Sequence, residues 1–143
     1  MELKSTLRIT NESDLKSEPG AHANQTGKFL VGGEECPSER IHMKLMSFVA
    51  GAHAPLHWHP TEAAYYVVSG RAVVTDIEGK AHEVGPGSCI YYPAGITGSH
   101  QWDVKEPMQL ITVRATTDPE KLLQFRVNKT TMESSIELDR LAR

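Results

Sequence analysis

The sequence predicts a single all-β domain built from antiparallel strands. Its 143 residues are the length of one domain and suffice to bury one hydrophobic core. From Lys28 onward, short segments rich in β-branched and aromatic residues alternate with turns that contain glycine or proline. Strands of this length and spacing are typical of a β-sandwich or a β-barrel.

The chain divides into three predicted regions. Residues 1–27 mix polar residues with EPGAHANQTG and predict an N-terminal arm with at most one short strand, in STLRIT. Residues 28–127 predict the barrel, and residues 128–143 form a tail. The strand-like segments of the barrel are, in order, KFLVG, RIHMKLMSFVAG, LHWH, AAYYVVSG, RAVVTDIEG, KAHEVGPG, SCIYYPAG and MQLITVRAT.

Turns and ends complete this prediction. Ser69-Gly70 and Glu78-Gly79 each separate two strand-like runs, and they predict hairpin turns with positive φ. The segment TTDPEKLLQFRVNKTT predicts either a short helix begun by Asp118-Pro119 or a loop into one last strand. Apolar residues near the end have close to helical spacing and predict a short C-terminal helix. They are Ile136, Leu138 and Leu141.

Composition limits the partners and the location of the protein. With 15 Lys and Arg against 18 Asp and Glu, the net charge of −3 gives no reason to expect DNA or RNA as a partner. Cys36 and Cys89 match no metal or redox pattern, and we expect two ordinary thiols. The charged N-terminus lacks a signal-peptide core, and no apolar run is long enough to span a membrane. We therefore expect a soluble, cytoplasmic protein.

Three histidines cluster in GAHAPLHWHPTEAAYYVVSG, residues 51–70. Side chains alternate along a strand, so His57 and His59 point the same way, about 6.6 Å apart along the backbone. Two imidazoles at that spacing can bind one cation. A pair of solvated surface histidines is the alternative for an isolated HxH pattern.

The surrounding residues resemble the two cupin motifs. Gly51, His57, His59 and Gly70 match G-x5-HxH-x3-4-E-x6-G, and GSCIYYPAG, residues 87–95, resembles the opening of G-x5-PxG-x2-H-x3-N. The resemblance implies a jelly-roll β-barrel that holds a divalent metal ion inside. In that family two histidines and a glutamate of the first motif and one histidine of the second are the ligands.

The chain departs from these motifs at two ligand positions. Ala63 stands where the family has its glutamate, and the neighbouring Glu62 faces out of the barrel unless a bulge or an altered loop turns it inward. Gly98 stands where the second motif has its histidine, and His100 follows two residues later on the same strand face. The predicted metal ligands are His57, His59 and His100, with Glu62 as a further candidate. His100 in the pocket wall or at the surface is the alternative.

Strand alternation also predicts which aromatic residues face the metal. Tyr65 and Val67 share the inward face of position 63, whereas Tyr66 and Val68 face outward. Tyr65 is therefore the candidate catalytic residue, a phenol that can bind substrate or move a proton, with simple packing as the alternative. The remaining histidines, His22, His42, His53 and His82, have no supporting motif.

These features predict a metal-dependent enzyme for a small enolisable or anionic molecule. Three-histidine cupins resemble Fe(II) dioxygenases, so we expect Fe(II), with Mn, Ni or Zn as possible ions. A non-oxidative lyase, isomerase or cyclase that uses the ion as a Lewis acid is the second hypothesis, and a non-catalytic small-molecule-binding protein is the third. The resemblance also implies a homodimer paired through edge strands, which the N-terminal arm could cover.

Overall fold

Two six-stranded antiparallel sheets form the body of the protein. A computed structural model describes residues 1–136. The strands are β1 (Glu18–Pro19), β2 (Gln25–Val31), β3 (His42–Phe48), β4 (His53–Trp58), β5 (Ala63–Ser69), β6 (Ala72–Asp76), β7 (Ala81–Val84), β8 (Cys89–Tyr92), β9 (His100–Val104), β10 (Met108–Arg114), β11 (Phe125–Val127) and β12 (Ser134–Ile136). Short 3-10 turns occupy Glu12–Asp14 and Ile96–Gly98. The predicted all-β jelly-roll fold is confirmed.

The two sheets share the hydrophobic core. Their strand orders are β1-β2-β3-β10-β5-β8 and β12-β11-β4-β9-β6-β7. Period-two alternation turns one face of each strand inward, and Val67, Leu110 and Trp102 are among the most deeply buried side chains. The predicted orientations on β5 are confirmed, because Val67 is buried while Tyr66 and Val68 are exposed.

The predicted hairpin at Ser69-Gly70 is wrong. β5 belongs to the first sheet and β6 to the second, so this turn carries the chain from one sheet to the other. Gly70 has φ 86°, and a Cβ there would overlap the backbone around Pro107 and Met108. A positive-φ glycine between two strands suits a crossover as well as a hairpin, so the local pattern could not separate them. The predicted hairpin at Glu78-Gly79 is confirmed by the pairing of β6 with β7.

The chain ends add strands outside the predicted barrel. Residues 1–11 form no strand, whereas β1 and the start of β2 lie within the predicted arm and extend the first sheet. The segment after β10 forms a turn at Asp118–Leu122 and then β11, so the loop alternative is the correct one. Ser134–Ile136, where we predicted the start of a helix, pairs with β11 as β12. Leu138 and Leu141 lie outside the described residues.

Two further predictions concern thiols and membranes. Cys36 and Cys89 are free thiols, as predicted. Within residues 1–136, no helix is long and apolar enough to cross a membrane.

Candidate metal centre

A β-bulge in β4 sets the direction of the first histidine. Opposite β9, Ala54 pairs with Trp102 and His57 pairs with His100, so three steps along β4 match two along β9. The extra residue lies beside Pro55, which has no N–H to lose from the ladder and is tolerated at a bulge. The bulge places His57 inside the barrel, directly across from His100.

The same bulge separates His53 from the cluster. His53 is exposed, and its Nδ1 lies 2.7 Å from the Asp103 carboxylate. His82 is also exposed, on β7, with Nε2 2.9 Å from the Asp76 carboxylate. Neither histidine belongs to the buried cluster.

A single 3-10 turn delivers His100 to the barrel interior. The second cupin motif has its histidine at the position of Gly98, two residues before His100. The turn Ile96–Gly98 accommodates this difference in spacing. Gly98 packs against the backbone of Pro93, and a Cβ at position 98 would overlap the Pro93 carbonyl oxygen. Gly95 donates its N–H to the His59 carbonyl at 3.0 Å, so the loop is tied to the end of β4. The loop therefore needs glycine at position 98 to seat His100.

His57, His59 and His100 form one buried cluster. They are 4%, 2% and 2% exposed, and one nitrogen from each ring lies within 4.8 Å of the others. The Nδ1 atoms each lie near a backbone carbonyl oxygen: that of Pro55 at 2.5 Å, that of Leu123 at 3.3 Å and that of Gly98 at 2.9 Å, respectively. With Nδ1 donating to these carbonyls, each ring offers its Nε2 lone pair. Backbone carbonyls commonly orient metal-binding histidines in this way.

Burial keeps two of these imidazoles neutral. Desolvation lowers the pKa of His57 well below its usual value, and the neighbouring His100 lowers it further. Desolvation is also the main reason that the pKa of His100 falls to about 3. A neutral imidazole is the form that binds metal ions.

The donor set fits a divalent metal ion. Nε2 of His100 is buried and has no hydrogen-bond partner among the described residues. A buried polar atom without a partner is energetically costly, and a bound metal ion would remove this cost. Three imidazoles suit Zn, Fe, Mn or Ni and leave coordination positions open. Within residues 1–136, no carboxylate joins the cluster.

Glu62 lies on the outside of the barrel, away from the three histidines. Its carboxylate accepts a hydrogen bond from the Tyr91 hydroxyl at 2.7 Å, and both residues are exposed. Ala63 is the inward residue, 3% exposed, at the position where the family has a glutamate. Strand alternation accounts for this orientation, because the bulge in β5 lies at Val68, five residues beyond Ala63.

Tyr65 reaches the cavity beside the cluster. Its ring lies 6.5 Å from the His100 ring and packs edge-on against Tyr92 at 4.7 Å between centroids. Its hydroxyl accepts a hydrogen bond from Nη2 of Arg114 at 3.1 Å. The structure therefore places the Nη2 group of a buried guanidinium against both the Tyr65 hydroxyl and His59.

Arg114 is the site residue that the sequence analysis missed. It ends β10 and is 6% exposed. Nη2 lies 3.1 Å from the Tyr65 hydroxyl and 3.4 Å from Nε2 of His59, and Nη1 donates to the Leu122 carbonyl at 3.3 Å. Its position two residues after Thr112 on an alternating strand is the signal that could have revealed it, because Thr112 faces inward.

A cavity connects these groups to solvent. The cavity volume is about 50 Å³. His57, His100, Tyr65 and Arg114 contribute polar groups to its lining. The apolar part of the wall comprises Met46, Phe48, Ala54, Trp102 and Leu110. Apolar side chains beside convergent polar groups, which also include Lys44 and Thr112, are typical of a small-molecule site.

His22, to which the sequence analysis assigned no role, lies at the mouth of this cavity. It belongs to the turn between β1 and β2, and its ring lies 5.6 Å from the His57 ring. Nε2 of His22 lies 2.7 Å from the amide nitrogen of Gln124, and Gln25 accepts its backbone N–H at 3.0 Å. The N-terminal segment thus contributes to the site.

The two facing sheets form a jelly roll, and the buried histidine cluster inside it has the geometry of a candidate metal site. The family model described as "Cupin domain" matches residues 44–114, which include every residue of the cluster. The chain is a small cupin-domain protein.

Several solved structures share the fold of this chain. The polyketide cyclase RemF from Streptomyces resistomycificus aligns with a TM-score of 0.66 at 22% identity, over 77% of this chain and 80% of that one. KdgF from Halomonas sp. aligns with a TM-score of 0.64 at 18% identity, over 76% and 94%. Oxalate decarboxylase from Lactobacillus farciminis aligns with a TM-score of 0.63 at 22% identity, over 82% of this chain and 35% of that one. No curated protein matches the chain by sequence.

Proposed function

We propose that the protein is a metal-dependent enzyme that acts on a small anionic molecule without consuming oxygen. In this proposal His57, His59 and His100 hold one divalent ion. The observation that carries it is the placement of Tyr65 and Arg114 beside a carboxylate-free histidine cluster. The fold of RemF and of oxalate decarboxylase supports the cupin architecture, whereas the reaction rests on these residues.

The ion would supply Lewis acidity, which stabilises negative charge on a substrate oxygen. Three neutral imidazoles leave its charge uncancelled, and Arg114 adds a further positive charge nearby. Both features favour a substrate that is anionic or becomes an enolate.

Tyr65 is the group that moves a proton in this proposal. Because its oxygen accepts the hydrogen bond from Arg114, its own O–H remains available to a substrate in the cavity. The hydrogen bond from Arg114 fixes the position of the phenol oxygen in the cavity. A lyase, isomerase or cyclase reaction needs such a positioned acid or base.

An Fe(II) dioxygenase is the second candidate. The three-histidine set favours it, because three protein ligands leave positions for both substrate and oxygen. All-imidazole ligands do not select among Fe, Mn, Ni and Zn.

Proton exchange separates these functions. Protein loaded anaerobically with Zn, Mn or Fe(II) is incubated in D2O with pentane-2,4-dione or pyruvate, and deuterium incorporation is followed by NMR. We expect metal-dependent exchange that falls by about 10²-fold or more in Tyr65→Phe, as is typical for loss of an acid–base group. Tyr66→Phe is the matched control, since Tyr66 faces outward on the same strand.

Other results would replace the proposal. Oxygen uptake by the Fe(II) form with these substrates, without deuterium exchange, would favour the dioxygenase. Metal binding with neither activity across enolisable, diketone and thiol compounds would favour a binding protein. Equal exchange rates in Tyr65→Phe and in the unmodified protein would exclude the role of Tyr65.

A further inference from the structure

Arg114 is a buried cation without a counter-ion among the described residues. It is 6% exposed, and the ion pairs found within residues 1–136 do not include it. Its hydrogen-bond acceptors are a carbonyl, a hydroxyl and an imidazole, all neutral groups. Burial of a charge without a partner of opposite sign is costly, so proteins rarely keep one without a use.

The guanidinium of Arg114 also has N–H groups that remain available for a ligand. A guanidinium carries five N–H groups, and the three contacts of Arg114, at 3.1–3.4 Å, are long for charge-assisted hydrogen bonds. A metal ion on Nε2 of His59 would take the lone pair that faces Nη2 of Arg114, which would release that N–H as well.

Arg114 lies beside the position at which the cupin motif has a glutamate. Arg114 on β10 is the direct cross-strand partner of Ala63 on β5. The chain thus has alanine in place of the family glutamate and a cation on the adjacent strand. A carboxylate on a molecule that enters the cavity, which Arg114 lines, would supply the negative charge that alanine at position 63 does not.

We propose that Arg114 binds the carboxylate of a small substrate whose apolar body lies against Phe48, Trp102 and Leu110. This inference rests on the proposed function only in naming the substrate class of the same site, because carboxylate binding at Arg114 does not require the metal ion. One guanidinium neutralises one unit of charge and matches the two oxygens of a carboxylate. A carboxylate that carries an aromatic or aliphatic group fits this lining better than inorganic phosphate, which would leave the apolar part of the wall uncovered.

Calorimetric titration tests this subsite on the full-length protein, both treated with EDTA and loaded with zinc. The probes are phenylacetate, its neutral analogue phenylacetamide, and inorganic phosphate. We expect phenylacetate to bind the EDTA-treated protein at least tenfold more tightly than phenylacetamide, and phosphate not to compete. Arg114→Gln, which keeps a hydrogen-bond donor but loses the charge, should weaken phenylacetate binding at least tenfold. Arg71→Gln removes an exposed arginine outside the cavity lining and should have no effect.

A second variant keeps the test decisive if Arg114→Gln folds poorly. Ala63→Glu would place a carboxylate opposite Arg114 and should abolish phenylacetate binding while the protein stays folded by circular dichroism. Equal affinity for phenylacetate and phenylacetamide, or phenylacetate binding that survives Ala63→Glu, would overturn the inference. Tighter binding of phosphate than of phenylacetate would overturn the carboxylate assignment. Because the EDTA-treated protein holds no metal ion, failure of the proposed metal chemistry would leave its result unchanged.

Discussion

Replacement of Gly98 by alanine tests how the second half of the site is built. A Cβ at position 98 would lie closer than 3.0 Å to the Pro93 carbonyl oxygen and 3.2 Å from the Pro93 carbonyl carbon. Both atoms belong to the backbone, so neither can rotate away as a side-chain end would. The 3-10 turn Ile96–Gly98 must therefore shift, and His100 with it, because β9 begins two residues after Gly98.

The size of the effect follows from the overlap. Overpacking against fixed atoms typically costs 1–3 kcal/mol. For 143 residues at about 2.1 cal/mol/K per residue, the unfolding entropy is about 0.3 kcal/mol/K. A loss of about 2 kcal/mol thus lowers Tm by about 7 °C. Displacement of His100 should also weaken zinc binding by tenfold or more, since displaced ligands and supporting groups typically cost 10- to 100-fold.

Thermal unfolding and competition with a zinc chelator measure the two effects in Gly98→Ala. Gly85→Ala is the matched control, because a Cβ there meets Nη1 of Arg71 at 2.9 Å, the flexible end of an exposed side chain that can move. We expect a clear drop in Tm and in zinc affinity in Gly98→Ala alone. Unchanged Tm and unchanged zinc affinity in Gly98→Ala would refute the reasoning about this loop.

Three further predictions concern pH, packing and assembly. In EDTA-treated protein the lowered pKa values of His57 and His100 mean that the unfolded chain binds more protons, so the free energy of unfolding should decrease as pH falls from about 6.5 toward about 3, by up to about 1.4 kcal/mol per pH unit per histidine. Urea titrations at several pH values check this, and a pH dependence that is no flatter in His100→Gln would contradict it. Leu110→Ala, at a side chain 1% exposed, should cost about 2–5 kcal/mol in the same assay, and a loss under 1 kcal/mol would show that the cavity wall is not packed as described. The homodimer implied by the cupin resemblance stays a prediction: size-exclusion chromatography should give a dimer, and a dimer that persists after removal of residues 1–24 would show that the arm is not its main contact.

The sequence was sufficient for an all-β fold because strand alternation is local, whereas the jelly roll and the histidine cluster were predicted from the resemblance to the two cupin motifs. Alternation along the strands placed Val67 inward and Tyr66 outward, and the HxH spacing identified His57 and His59. His100 could be predicted because two residues restore the same strand face.

Features that depend on contacts between distant strands could not be read in the same way. The Ser69-Gly70 turn has the local chemistry of a hairpin, and only the pairing of β5 with β10 and β8 shows that it joins two sheets. Arg114 became part of the site because β10 lies beside β5, which brings position 114 opposite position 63. His22 reaches the cavity through a turn in a segment that we expected to be an arm.

The central claim is a metal centre made of three histidines without a carboxylate. Its most direct test is metal content by mass spectrometry on tag-free protein, beside His57→Ala, His100→Ala and Glu62→Gln. We predict close to one metal ion per chain, lost in both histidine variants and retained in Glu62→Gln. The Glu62 carboxylate should not matter, because it accepts a hydrogen bond from Tyr91 outside the barrel. Metal retained in His100→Ala but lost in Glu62→Gln would contradict the account, as would the absence of metal from the unmodified protein after incubation with excess Zn, Mn or Fe(II).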